Sequence, residues 1–83
     1  MPMKIRTLFF AVVRERLKHD LENVELPDGA TVEALLDELE QRHPALGGLR
    51  AACKVAVNQE FSRGDRVLED GDEVALIPPV AGG

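Results

Sequence analysis

From Met3 to Phe10 the chain alternates, with Met3, Ile5, Thr7 and Phe9 on one side and Lys4, Arg6, Leu8 and Phe10 on the other. A period of two with one apolar side predicts a strand buried on one face. Ala11 to Leu17 drops the alternation and is rich in helix formers, which predicts a short helix. Alternation returns from Leu21 to Leu26, with Glu22 and Glu25 expected outside or at an edge, and Pro27-Asp28-Gly29 supplies a turn. The period then changes. Val32, Leu35, Leu36 and Leu39 repeat at helical spacing, Thr31 stands where an N-cap belongs, and Glu33 lies in the first turn, where the helix dipole favours an acid. Arg42 and His43 close this helix and Pro44 stops it. Ala45 to Ala52, with Gly47-Gly48 inside, reads as loop with at most a helical turn.

Cys53, Val55 and Val57 share one side of the next strand, and Asn58-Gln59 marks a hairpin turn. Glu60-Phe61 and Arg66 to Leu68 read as short strand pieces around the turn Ser62-Arg63-Gly64-Asp65. Asp70-Gly71-Asp72 turns the chain again into a last strand, Glu73 to Ile77, with Val74 and Leu76 inward. Pro78-Pro79 cannot donate to a ladder and ends it. Strand, short helix, strand, long helix and more strands predict an α+β fold, a sheet with the main helix packed on one face. The domain is expected to span residues 1–78, with residues 79–83 (Pro79, Val80, Ala81, Gly82 and Gly83) as an extended tail.

Composition narrows what such a domain can do. At 83 residues there is room for one modest core. Three Phe with no Trp or Tyr, and a net charge of −5, argue against nucleic acid and toward a basic protein surface. The charge is uneven: residues 1–18 carry five basic groups and one acid, whereas residues 19–40 carry eight acids and no Lys or Arg. The bland reading of that stretch is a solvated acidic helix with its flanks. Cys53 is alone, on the inward side with Val55 and Val57, and reads as a small core residue rather than a thiolate. His19 and His43 have no helical ligand spacing, so no metal is expected, and neither forms a recognisable triad with Ser62. The longest apolar run, Leu8 to Val13, is too short for a membrane and lacks a signal-peptide pattern, which points to a cytoplasmic protein. No residue set suggests that the chain catalyses anything alone.

One pattern is specific. The opening LFFA-x-VRE (Leu8 to Glu15), the internal Val57-Asn58-Gln59, and the ending DGDEVA-x-x-PPV-x-GG (Asp70 to Gly83) together resemble the small subunit of molybdopterin synthase over essentially the whole chain. That resemblance implies a β-grasp fold, as in ubiquitin and the thiamine-pathway sulfur carrier, and a carrier function with no bound cofactor. It implies that an adenylyltransferase of the ubiquitin-activating type spends ATP to make a Gly83 acyl-adenylate. Sulfur from a persulfide donor then displaces AMP and leaves a thiocarboxylate. The large synthase subunit receives the tail and passes the sulfur to cyclic pyranopterin monophosphate, in a two-plus-two assembly.

Elementary chemistry agrees with this assignment of the tail. A carboxylate is a poor electrophile until it gains a leaving group, and a thiocarboxylate then offers a nucleophilic sulfur. Gly82 and Gly83 lack the Cβ that would block a narrow channel, and five extended residues reach about 16–18 Å. The prolines at the root restrict the chain before insertion. Strand parity adds a docking surface: Phe10, Phe61 and Ile77 are expected to form an apolar patch on the open side of the sheet. Other readings share the fold and the terminal glycines, namely a carrier for thiamine or cysteine synthesis, or a ubiquitin-like modifier or interaction module without sulfur chemistry.

Overall fold

The computed structural model describes residues 2–79. Five strands form one mixed sheet in the order β2-β1-β5-β3-β4, with β1 (Met3–Phe9), β2 (Leu21–Leu26), β3 (Lys54–Val57), β4 (Glu60–Ser62) and β5 (Glu73–Ile77). β1 and β5 pair in parallel at the centre, and every other pair is antiparallel. Helix α1 (Ala11–Leu17) connects β1 to β2. Helix α2 (Val32–Arg42) leads through a 3₁₀ turn, Pro44–Leu46, into the single-turn α3 (Gly47–Arg50). This is the α+β, β-grasp arrangement expected.

The inward parity of β1 holds residue by residue: Met3, Ile5, Thr7 and Phe9 are buried while Lys4 and Arg6 are exposed. Val32, Leu35, Leu36 and Leu39 of α2 join Ile5, Phe9, Val74 and Leu76 in one core cluster. Each such side chain contributes about 1.5–3 kcal/mol when removed from water, so α2 is held mainly by this face. Its first turn is capped twice over. Thr31 Oγ1 accepts from Ala34 N at 3.2 Å, and the carbonyls of Arg66 and Gly64 accept from Val32 N and Glu33 N, each at 2.9 Å.

Four boundaries differ from expectation. Phe10 does not extend β1; it is the N-cap of α1, and its carbonyl accepts from Val13 N. Residues 45–52 hold more helix than a loop. Leu46 is fully buried, and Arg50 reaches back to α2, so tertiary contacts override two glycines of low helix propensity. Cys53 precedes β3 rather than starting it. Arg66 to Leu68 makes only an isolated bridge between Val67 and Thr31, because the backbone of that stretch is spent capping α2.

Two motifs that carry the family resemblance are architectural. Asn58 and Gln59 both take left-handed backbone (φ 50° and 72°), the pairing a two-residue type I′ hairpin turn requires. Asn58 then ties that hairpin to the start of β5: its Nδ2 donates to Asp72 Oδ1 at 2.9 Å, and its Oδ1 accepts from Glu73 N at 3.0 Å. Asp72, which is buried, also accepts from Glu69 N at 2.8 Å. Asp70 Oδ1 accepts from Lys4 N at 2.7 Å, and Gly71 N donates to Lys4 O at 2.9 Å. Gly71 sits at φ 87°, a conformation that disfavours any side chain.

Candidate functional site: the open sheet face and the root of the tail

One face of the sheet carries the core and the other is open. Register places Leu21, Leu8, Ala75, Ala56 and Phe61 opposite one another in turn, an apolar row across all five strands. Ile77 stands one step further along β5, opposite Lys54. Phe10 follows Phe9, the register partner of Leu76, and stands just past the end of the ladder as the N-cap of α1. Phe61 is 70% exposed and Phe10 44%, while Ile77 is half-buried. Phe61 and Ile77 therefore lie on the open face in adjacent rows, and Phe10 is exposed just past the end of β1.

Leu8, Ala75 and Ala56 complete the apolar row, and sequence reasoning left them out. Parity alone places Leu8 outward; bringing it beside Ala75 and Phe61 requires knowing that β5 inserts between β1 and β3. Val67, exposed at 57%, lies away from this face on the bridge to Thr31. On the polar side of the row, Arg6 is opposite Glu73 and Lys4 opposite Glu25.

The chain leaves the sheet at the end of its middle strand. β5 is the middle strand, its last residue is Ile77, Pro78 is buried and Pro79 is exposed. Val80, Ala81, Gly82 and Gly83 lie outside the described residues.

The remaining chemistry-bearing residues serve the scaffold. Burial raises the Cys53 thiol above its ordinary value, which favours the protonated form over the thiolate. The two histidines, distant in sequence, come together with their ring centroids 5.7 Å apart. His43 Nε2 lies 2.7 Å from Glu22 Oε1, and Arg42 Nη1 donates to Glu22 Oε2 at 3.0 Å. Burial alone would raise the Glu22 carboxyl, but the hydrogen bonds from His43 and Arg42 outweigh it and hold the group below the ordinary glutamate value. Glu22 thus sits on an edge strand, as expected, but half-buried and doubly bonded. Among the described residues, no three His, Cys, Asp or Glu side chains are placed to hold a metal ion. Nor is any helix there long and apolar enough to cross a membrane.

The acidic stretch is less bare than its sequence suggests. Arg50 of α3 reaches Glu33, Asp37 and Glu40 at 3.1, 2.8 and 3.0 Å. Burial works against the Arg50 charge, yet its bonds to Asp37 and Glu40 leave it more firmly protonated than usual. This cluster lies on α2, across the core from the open face.

Comparison with known proteins matches this geometry to a single group. Residues 7–83 match the ThiS family. The molybdopterin synthase sulfur carrier subunit of Chlamydomonas reinhardtii is 45% identical over 83 residues, covering 98% of this chain and all of that protein. Among solved structures, SAMP1 from Haloferax volcanii, a small archaeal modifier protein, superposes with a TM-score of 0.89 at 31% identity, over 96% of this chain and 99% of that one. A complex of subunits 1 and 2 of the molybdopterin-converting factor from Helicobacter pylori contains a chain 27% identical, with a TM-score of 0.67 over 98% of this chain and all of that one.

Proposed function

Because the chain belongs to the ThiS family, and within it to the molybdopterin synthase sulfur carrier subunits, we propose that it carries activated sulfur on the carboxyl end of Gly83 and delivers it inside a larger synthase subunit. The observation that carries this reading is a match that spans the chain and runs to Gly83 itself. An adenylyltransferase joins AMP from ATP to the Gly83 carboxylate and releases pyrophosphate; the outer sulfur of a persulfide donor then displaces AMP to give an acyl disulfide, which a second thiol reduces to the thiocarboxylate while forming a disulfide with the donor. The sulfur then passes to cyclic pyranopterin monophosphate in the large subunit, which supplies the catalytic groups. The chain itself binds no cofactor in this scheme, and works in the cytoplasm.

The two-subunit complex of the H. pylori relative supports a large-subunit partner. The open face fits that role. Phe10, Phe61 and Ile77 would meet the partner as an apolar core with charged residues around it. Pro79, Val80, Ala81 and Gly82 would lead Gly83 into the partner's channel. A tail rooted beside the docking row needs no hinge to enter the protein that covers that row.

Intact mass of the chain after incubation with the activating enzyme, ATP and a persulfide donor tests the proposal. Replacement of one terminal oxygen by sulfur is expected, and a variant lacking Gly83 should stay unmodified. An unchanged mass in the native chain would end this reading. The likeness to SAMP1 favours a second one, a modifier that transfers the same activated terminus to lysines of other proteins. Isopeptide-linked Gly83 in a tryptic digest of the reaction would support it.

A further inference from the structure

Among the described residues the strands place three cations on the open face, and two of them have an acid at hand: Lys4 is the register partner of Glu25, and Arg6 of Glu73. Lys54 does not. It stands opposite Ile77, next along its own face to Ala56, with its Nζ 5.5 Å from the centroid of the Phe61 ring. It forms no ion pair among the described residues. An exposed cation over an aromatic ring is held only lightly. In the free protein, water supplies the rest of its solvation.

Docking removes that water. A surface that covers Phe61 and Ile77 also covers the ammonium between them, and an ammonium buried without a counter-charge is strongly unfavourable. We propose that the large subunit presents a carboxylate side chain to Lys54 Nζ when it seats on Phe61 and Ile77. This rests on the docking reading above and adds the chemistry of the partner. It also reverses a conclusion drawn from bulk charge. The net charge of −5 points to a basic partner, yet of the eight acids in residues 19–40 four (Glu33, Asp37, Glu38 and Glu40) lie on α2, behind the sheet. The cation at the tail end of the docking row calls for an acid.

The test is the affinity of the full chain for its large subunit, measured by calorimetry at two salt concentrations, for the native protein and for Lys54→Met, Lys54→Glu and Phe61→Asp. Lys54→Met keeps the length and apolar character of the stem and removes the charge. With a carboxylate opposite, it strands that carboxylate, and affinity should fall at least about 30-fold. Lys54→Glu should fall further, and the native salt dependence should be lost in Lys54→Met. If Lys54→Met binds as tightly as the native chain, or more tightly, no carboxylate is present and the inference fails. Phe61→Asp separates the two levels. Lost binding in that variant with native affinity in Lys54→Met leaves the docking face standing without its acidic contact. Native affinity in Phe61→Asp removes both. Lys54 and Phe61 are exposed, so matched thermal unfolding curves verify that each variant is folded.

Discussion

Thr7 is fully buried on the core side of β1, between Ile5 and Phe9, and its Oγ1 has no hydrogen-bond partner among the described residues. In the unfolded chain that hydroxyl is hydrated; in the folded one nothing replaces the water. Protein data put the cost of such a loss at about 1–3 kcal/mol. Valine has the same branched shape at Cβ, suits a strand as well as threonine does, and brings a methyl group in place of the hydroxyl. Thr7→Val should therefore stabilise the protein by about 1–2 kcal/mol, the lower part of the range because the extra methyl must fit a packed core. For a domain of this size, each kcal/mol is worth about 4–8 °C in Tm. The assay is urea unfolding with a thermal melt alongside. Thr7→Ser is the second variant: it keeps the hydroxyl and loses a methyl, so it should be less stable than the native chain. A lower urea midpoint for Thr7→Val with an unchanged m-value would refute the reasoning, since it would mean that the hydroxyl has a partner whose bond outweighs its desolvation.

Three further perturbations probe other contacts. Asp72→Ala leaves Glu69 N and Asn58 Nδ2 without their acceptor and should cost about 2–3 kcal/mol by urea unfolding; a loss below a few tenths would show that the clamp between hairpin and β5 contributes nothing. Glu22 has a lowered carboxyl pKa, so its stabilisation is complete above the ordinary glutamate range and disappears as the pH falls through the lowered value. Glu22→Gln should accordingly be less stable than the native chain at neutral pH and close to it in acid, and parallel stability curves from pH 7 down to pH 2 would contradict that. Leu35→Ala, in the middle of the buried face of α2, should cost about 2–5 kcal/mol and be read in the same unfolding assay.

Local pattern made some elements legible and left others dark. β1 shows itself because Lys4 and Arg6 interleave with Met3, Ile5 and Thr7, and α2 because its four buried residues repeat at helical spacing between an N-cap and a proline. α3 has no such signature. Its two glycines disfavour a helix, and it forms because Leu46 is buried just before it and Arg50 pairs with three acids on another helix. Those contacts join residues 10 to 17 positions apart, which no short window sees. Val67 fails the other way. Its neighbours look like a strand, but the Arg66 carbonyl is needed by Val32 N, so only one bridge forms. The site divides along the same line. Outward parity is local, as is a large apolar residue in a polar hairpin, so the exposure of Phe61 and the outward place of Ile77 on β5 could be read in advance. Adjacency is global, so Leu8, Ala75, Ala56 and Lys54 could not.

In the proposed function, the central position of β5 would join docking to delivery. A strand at the edge would have led its tail out beside one neighbour, and a partner could cover the apolar row without meeting it. β5 instead has β1 on one side and β3 on the other, and each places a residue of the same row beside Ala75. Ile77 follows two residues later on the same face, and the chain leaves the sheet at once, through a buried Pro78 and an exposed Pro79. Pro78 is buried, which holds the end of β5 to the packed side of the sheet, while the proposed docking surface is on the open side. Loosening that anchor should then separate the two activities. Pro78→Gly restores backbone freedom at the root without touching Phe10, Phe61 or Lys54. Affinity for the large subunit should change less than the rate of sulfur delivery, which depends on the tail entering the channel. Equal losses in both would mean that the root contributes to docking itself.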